Sequence, residues 1–187
     1  QDYPDLDYTH FDFEDFDTFD QALKGIDTVF LLRPPHLSDI DKYFKPLILK
    51  IKDKNINQIV FLSVQGAEKS KVIPHNKIER LIKSMGFKYI FVRPSYFMQN
   101  LSTTLLKEIK EQRKIFIPSG NLKFNWVDTK DIGLVGAHII DNFDQYKNKA
   151  YDITGSEFED FSYVANILTK ELGVEITFDS PNLLRFY

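Results

Sequence analysis

Gln58-Ile-Val-Phe-Leu-Ser63, a loop from Val64 to Ile73, Pro74-His-Asn-Lys-Ile-Glu79 running on to Gly86, and Tyr89-Ile-Phe-Val-Arg-Pro94 decide the fold. The first run is apolar, too short to span a membrane, and ends in a hydroxyl, so Ile59 to Leu62 reads as a buried parallel strand that delivers Ser63 to its carboxyl end. Proline is favoured in a first helical turn and glycine after a last one, which brackets a helix between Pro74 and Gly86. Ile78, Leu81, Ile82 and Met85 fall at i, i+3, i+4 and i+7 and make one buried stripe. His75 and Lys77 border that stripe on opposite sides, and Glu79, Arg80 and Lys83 are expected to face water. Tyr89 to Val92 is a second buried strand, closed by Arg93-Pro94-Ser95-Tyr96-Phe97. Ligands of open parallel sheets sit beyond the carboxyl ends of the strands, which is where Ser63 and Pro94 to Phe97 would lie.

Outward from this stretch the alternation continues. Toward the N-terminus, Thr28 to Leu32 is another apolar strand, broken by Arg33-Pro34-Pro35 because proline cannot continue a ladder. Ser38 or Asp39 caps a helix whose stripe is Ile40, Tyr43, Phe44, Leu47, Ile48 and Ile51, with Pro46 expected to bend it. Tyr8 to Phe13 reads as a short strand, followed by a helix from Thr18 to Lys24 capped by Asp15 or Asp17. Toward the C-terminus the spacing predicts a helix over Leu101–Arg113, strands at Ile115–Ile117 and Lys123–Val127, and a helix Thr129–Ile140 capped by Asp128. A strand at Ala150–Thr154, a helix Phe161–Leu172 and a strand Val174–Phe178 follow. Strands alternating with amphipathic helices define an α/β chain, a parallel sheet with helices on its faces.

The 187 residues can enclose a substantial core. No apolar run approaches the roughly 20 residues of a membrane span, so no membrane partner is expected and the expected setting is the cytoplasm. The net charge of −3 is uneven: the first 23 residues hold eight acids and no Lys or Arg, which leaves +5 on the rest. No basic stripe with interleaved aromatics is present, so nucleic acid is not an expected partner.

Several chemistries fall away. There is no cysteine, hence no thiol catalysis. Phe61-Leu-Ser-Val-Gln-Gly66 lacks the Gly-x-Ser-x-Gly elbow of serine hydrolases. The four histidines, at 10, 36, 75 and 138, show no metal-ligand spacing, and no metal is expected. Gly133-Leu-Val-Gly136 lies inside a helical pattern and is no phosphate loop. Lys77 remains. A lysine bordering an apolar stripe usually just extends its amine to water, but this one shares a strand–loop–helix with Ser63, an arrangement suited to holding a ribose and polarising a substrate oxygen.

Phe30-Leu-Leu-Arg-Pro-Pro35, Ile59-Val-Phe-Leu-Ser-Val-Gln-Gly66, Pro74-His-Asn-Lys-Ile-Glu79, Val92-Arg-Pro-Ser-Tyr-Phe-Met-Gln-Asn-Leu101 and Phe124-Asn-Trp-Val-Asp-Thr-Lys-Asp-Ile-Gly133 together resemble the NmrA-like branch of the atypical short-chain dehydrogenases. The resemblance implies a Rossmann-like fold, with residues 1–100 a partial NAD(P)-binding domain and 101–187 a small C-terminal α+β substrate lobe interleaved with the sheet. It implies NADP or NAD as cofactor, hydride transfer to a small quinone or carbonyl substrate, or, as the alternative, a non-catalytic redox sensor. By the same resemblance Leu32, Arg33 and Pro34 would run beside the ribose and phosphates. Ser63 would lie under the nicotinamide ribose, Lys77 would be the active-site lysine, and Pro94, Ser95, Tyr96 and Phe97 would wall the nicotinamide.

Two departures qualify this. The tyrosine that short-chain dehydrogenases place four residues before the lysine is Ile73 here, which leaves His75, with an ordinary pKa near 6.5, as the nearest titratable proton donor. The family also opens with a glycine-rich strand–turn–helix that takes the pyrophosphate, and no glycine here forms that motif. A β-α-β unit of about 30 or more residues is therefore expected to be absent, whether the chain is a fragment or a shortened product. In the strand order 3-2-1-4-5-6 its strand would sit beside Thr28–Leu32. The expectations that follow are weak or absent NAD(P) binding by this chain, and self-association as a homo-oligomer through an exposed sheet edge.

Overall fold

A computed structural model describes residues 5–182. The chain divides into two compact units, one built from the residues up to Arg93 together with His138–Tyr151, the other from Pro94–Ala137 together with the residues from Asp152 onward.

The first unit holds a four-stranded sheet. Its strands are β1 (Thr28–Leu32), β2 (Gln58–Leu62), β3 (Lys88–Pro94) and, returning late in the chain, β7 (Lys149–Ile153), in the spatial order β1-β2-β3-β7. β1 pairs with β2 and β2 with β3, both parallel, with Val29 opposite Ile59 and Ile59 opposite Tyr89. The expected order and direction of these three strands are as found. Helices α2 (Lys45–Asp53) and α3 (Pro74–Ser84) supply Leu47, Ile48, Ile51, Ile78 and Ile82, and the turn before α2 supplies Phe44, to a core shared with Ile59, Phe61 and Phe91. Gly86 stops the chain after α3 at φ 75°, a left-handed conformation that glycine adopts freely.

Pro46 acts differently from a simple kink. Residues Ile40–Phe44 form a π-turn, opened by Asp39, whose carboxylate accepts from the Lys42 N–H at 3.0 Å. The Lys45 N–H bonds back to the Ile40 carbonyl five residues earlier, and Pro46 falls in the first turn of α2. A ring with no N–H is tolerated there, and the wider preceding turn relieves its clash with the carbonyl four residues back.

Tyr8 to Phe13 is not a strand. Asp12 and Asp15 form an isolated bridge, and their carboxylates accept the Glu14 and Asp17 N–H groups at 2.8 and 3.1 Å. Such local side-chain bonds compete with a ladder. Phe11 and Phe13 pack on one another, Phe11 on Phe19 and Phe13 on Phe44, so the aromatics that suggested alternation are a ring cluster. The helix expected from Thr18 shrinks to a 3₁₀ turn, Phe16–Thr18, and the four residues of α1 (Phe19–Ala22).

The second unit contains short sheets: β4 (Tyr96–Phe97) parallel to β6 (Phe124–Val127), β6 antiparallel to β8 (Phe158–Glu159), and β5 (Lys114–Phe116) parallel to β9 (Thr177–Asp179). The helix expected over Leu101–Arg113 is interrupted at Thr103; a 3₁₀ segment Met98–Ser102 precedes α4 (Leu106–Gln112). α5 (Thr129–Asp141) starts at Asp128, which accepts the Lys130 N–H at 2.7 Å. The four-residue α6 (Phe143–Tyr146) that follows it falls in the first unit, and α7 (Phe161–Leu172), in the second, begins at the cap Asp160. Around Ile115, Trp126, Phe161 and Ile176 a second core closes, with Tyr96, Trp126 and Phe161 in edge-to-face contact. Gly155 is obligatory here, since a Cβ would run into the Trp126 carbonyl oxygen.

Candidate functional site

β2 stops at Leu62, but the Ser63 N–H extends the ladder by one bond to the Val92 carbonyl at 2.7 Å. That fixes Ser63 at the carboxyl end of the sheet, 2% exposed. Its hydroxyl donates to Glu79 Oε1 at 2.7 Å. Glu79, expected to face water, is instead 3% exposed. Arg93, next to last in β3, grips the same carboxylate with two bonds, Nε to Oε1 at 2.9 Å and Nη2 to Oε2 at 2.7 Å. Its third arm, Nη1, reaches Glu68 at 2.7 Å. The guanidinium fork matches a carboxylate in plane and direction, the geometry in which such pairs are strongest.

The loop between β2 and α3 is clasped by this network. Gly66 turns it at φ 76°, a 3₁₀ turn Ala67–Lys69 carries Glu68 toward Arg93, and Asn76 donates to the Ala67 carbonyl at 3.0 Å. Asn76 Oδ1 is buried without a hydrogen-bond partner among the described residues.

His75 sits in the first turn of α3 with its ring over Phe61, centroids 6.0 Å apart. Arg33 donates from Nε to His75 Nε2 at 3.5 Å, so the neutral ring carries its proton on Nδ1. Burial first, and the adjacent Arg33 second, lower the His75 pKa to about 4. At neutral pH this side chain is an uncharged imidazole that can offer an N–H but holds no transferable imidazolium proton, which removes the ordinary pKa as a reason to make it the acid. Arg33 is itself held down, its Nη1 donating to the carbonyls of Pro34, Pro35 and Leu37 at 2.9–3.0 Å.

Lys77 is exposed, and no ion pair or side-chain hydrogen bond engages it among the described residues. It opens on a cleft of about 350 Å³ shared with Ile40, Asp41, Arg80, Leu81 and Ser84. Two positions apart on a helix do not share a face, so Lys77 is turned to solvent while Glu79 is turned inward. No hydrogen bond among the described residues joins Lys77 to Ser63 or to His75. Leu32 and Pro34 line a trough of about 470 Å³ beside β1, with Phe11, Phe13, Ile26 and Phe30. Pro94 is buried at the end of β3. In the second unit the Ser95 N–H bonds the Ile153 carbonyl at 3.0 Å, Phe97 pairs opposite Val127, and burial raises the pKa of Tyr96.

Glu79, Arg93, Glu68 and Asn76 escaped the sequence reading. One signal was available: Arg93 ends an apolar strand, and a cation there needs a partner. The helical period alone puts Glu79 at the border of the stripe, where either orientation is allowed.

Parallel strands β1, β2 and β3 with α2 and α3 packed on them, and a second small α+β unit after Pro94, define a Rossmann-like α/β protein. The chain belongs to the NmrA-like family, whose pattern it matches over residues 6–181. It is 32% identical over 172 residues to prestalk A differentiation protein A of Dictyostelium discoideum, covering 92% of this chain and 56% of that protein. It is 27% identical over 160 residues to an NAD(P)H azoreductase of Xenophilus azovorans, covering 83% and 55%. The structure of an NADPH-dependent quinone oxidoreductase from Escherichia coli superposes with a TM-score of 0.81 at 18% identity, covering 94% of this chain and 62% of that one, a likeness of fold. The chain thus spans a little over half the length of the curated relatives it matches. Among the described residues, no helix is long and apolar enough to cross a membrane, and no group of three or more His, Cys, Asp or Glu is placed to hold a metal.

Proposed function

We propose that the protein is an NAD(P)H-dependent oxidoreductase that transfers hydride to a small quinone or carbonyl compound. The observation that carries the reading is the family match over residues 6–181, with an NAD(P)H azoreductase among the relatives. Reduced nicotinamide, when bound, supplies the hydride, and the residues of this chain bind, orient and exclude water. The hydroxyl proton of Ser63 is taken by Glu79, so toward a ligand Ser63 can only accept, and a ribose hydroxyl is a suitable donor. Lys77, unpaired among the described residues, is a cation that can settle a developing oxyanion. The Nδ1–H of neutral His75 can polarise a substrate oxygen without giving up its proton, which comes from solvent. Leu32, Arg33 and Pro34 are further proposed cofactor contacts, and Pro94, Ser95, Tyr96 and Phe97 are proposed as such on their own. The setting is cytoplasmic and the partners are small molecules, with self-association through the β1 edge.

Affinity for the cofactor is proposed to be low in this chain, because no glycine-rich turn is present to cradle a pyrophosphate. The test is NADPH oxidation by the chain with a simple quinone, followed by absorbance, together with calorimetric titration of NADPH. Quinone-dependent oxidation that Lys77→Ala abolishes supports the reading; no oxidation at saturating NADPH overturns it. A second reading, a cofactor-binding regulator without turnover, is favoured by the absence of a transferable proton on His75. Saturable NADPH binding with no oxidation would select it.

A further inference from the structure

The cleft of about 350 Å³ on which Lys77 opens lies in the first unit, between α3 and the π-turn Ile40–Phe44. Its volume falls in the range of small-molecule sites. Lys77, Arg80, Leu81 and Ser84 stand at i, i+3, i+4 and i+7 of α3, so helical geometry sets them on one face. All four line the cleft, with Ile40 and Asp41 opposite. Ile40 is buried and Leu81 half-buried, which gives the cleft an apolar floor.

The charge on this face is unbalanced. Arg80, like Lys77, is exposed and has no ion pair or side-chain hydrogen bond among the described residues. The two cations are one helical turn apart, where like charges repel. Glu79 is the only acid of α3, and it is turned inward and held by Ser63 and Arg93. Across the cleft the Asp41 carboxylate is drawn along its own segment to Lys45, at 3.3 Å. The Ser84 hydroxyl donates to the Leu81 carbonyl at 2.9 Å and adds no donor. What the cleft offers is therefore two cations, the planar fork of Arg80 and the point charge of Lys77, beside aliphatic surface. Such a pair matches an anion with several oxygens, and the floor matches an apolar body attached to it.

We propose that this cleft binds a phosphate monoester carried on a small apolar body, with Arg80 and Lys77 on its oxygens and Ile40 and Leu81 against the body. The site shares Lys77 with the oxidoreductase reading but does not rest on it, since binding is read without cofactor.

Phenyl phosphate, inorganic phosphate and the neutral benzyl alcohol are titrated into the isotope-labelled full chain in mildly alkaline buffer, where the monoester is a dianion. The backbone amide signals of residues 77–84 report the cleft. Phenyl phosphate is expected to shift them saturably, inorganic phosphate to bind about fivefold more weakly for want of apolar contact, and the alcohol to leave them in place. Arg80→Gln, at an exposed position, weakens phenyl phosphate about fivefold, the worth of one exposed charge pair. Ser84→Asp, which puts a like charge into the cleft, abolishes binding. Lys110→Gln, which removes an exposed cation of α4 in the second unit, changes nothing. No saturable shift of these signals, equal affinity for the two phosphates, binding that survives Arg80→Gln and Ser84→Asp, or a loss with Lys110→Gln as large as with Arg80→Gln each overturns the proposal.

Discussion

Replacing Glu79 by alanine should destabilise the first unit more than any substitution at an exposed charge. The carboxylate is 3% exposed and takes three hydrogen bonds, one from Ser63 and two from Arg93. Its loss takes from Arg93, 9% exposed, the buried carboxylate that holds two of its arms while the half-exposed Glu68 remains, and leaves the Ser63 hydroxyl without the acceptor it has in the intact network. Breaking a buried pair from one side costs about 3–5 kcal/mol, because the remaining charge stays desolvated. In a chain of this size that corresponds to a fall in Tm of roughly 6–20 °C. Glu68→Gln, which removes the charge of a carboxylate already largely in water while keeping an oxygen that can accept from the same guanidinium, should cost no more than about 1 kcal/mol. The decisive variant is the double one, Glu79→Leu with Arg93→Met. It leaves no charge buried and should be more stable than either single variant, so the two effects are far from additive. Urea unfolding followed by circular dichroism measures each of these variants, the two singles included. If Glu79→Ala falls within about 1 kcal/mol of the unaltered chain, or if the double variant loses the sum of the singles, the ionic network does not hold the loop and strand ends as described.

Other outcomes follow from the same geometry. His75 is neutral in the folded chain down to about pH 4 but binds a proton near pH 6.5 when unfolded. Above pH 6.5 it does not affect stability; as the pH falls from there through 4, the unfolded state gains protons first and stability drops. The full shift corresponds to at most about 3 kcal/mol, and solvent around a half-buried ring brings this to about 1–2 kcal/mol. His75→Gln should flatten the Tm-against-pH curve over that window. Lys77→Ala should change Tm by no more than about 0.5 kcal/mol in equivalent stability while removing quinone-dependent NADPH oxidation; a large loss of stability would instead assign the residue to packing. Gly155→Ala should cost about 1–3 kcal/mol or more, because the added methyl meets the Trp126 backbone and not a side chain that can swing away, and a red-shifted Trp126 emission at reduced urea would register it.

What could be read in advance was what period and punctuation encode. The strands around Val29, Val60 and Ile90 are continuous apolar runs closed by Pro or by a loop, and α7 begins at a capping Asp160 and stops at Gly173, so all were legible. Tyr8–Phe13 was not, because alternating aromatics look the same whether they line a strand or stack on one another, and only the absence of a pairing partner separates the two. The interruption at Thr103 was hidden as well: a 3₁₀ segment and an α-helix in succession show the same apolar spacing as one long helix. At the site, Ser63 and His75 were found as residues, but their protonation and bonding depend on Glu79, Arg93 and Arg33. Those contacts span 14 to 42 positions and leave no local trace.

The late return of β7 to the first sheet bears on how the chain is made. β3 ends at Pro94, and its neighbour β7 begins at Lys149, about 55 residues later. At a translation rate of 5–20 residues per second, that separation is roughly 3–11 s. During this interval the apolar strand with Ile90, Phe91 and Val92 has emerged with one side of its hydrogen-bonding groups unmatched, the condition under which strands join the wrong neighbour. The pace of the ribosome between Pro94 and Lys149 therefore sets how long that edge stays open. Synonymous codons that slow this stretch, silent in the finished protein, are expected to lower the yield of soluble chain, and faster ones to raise it.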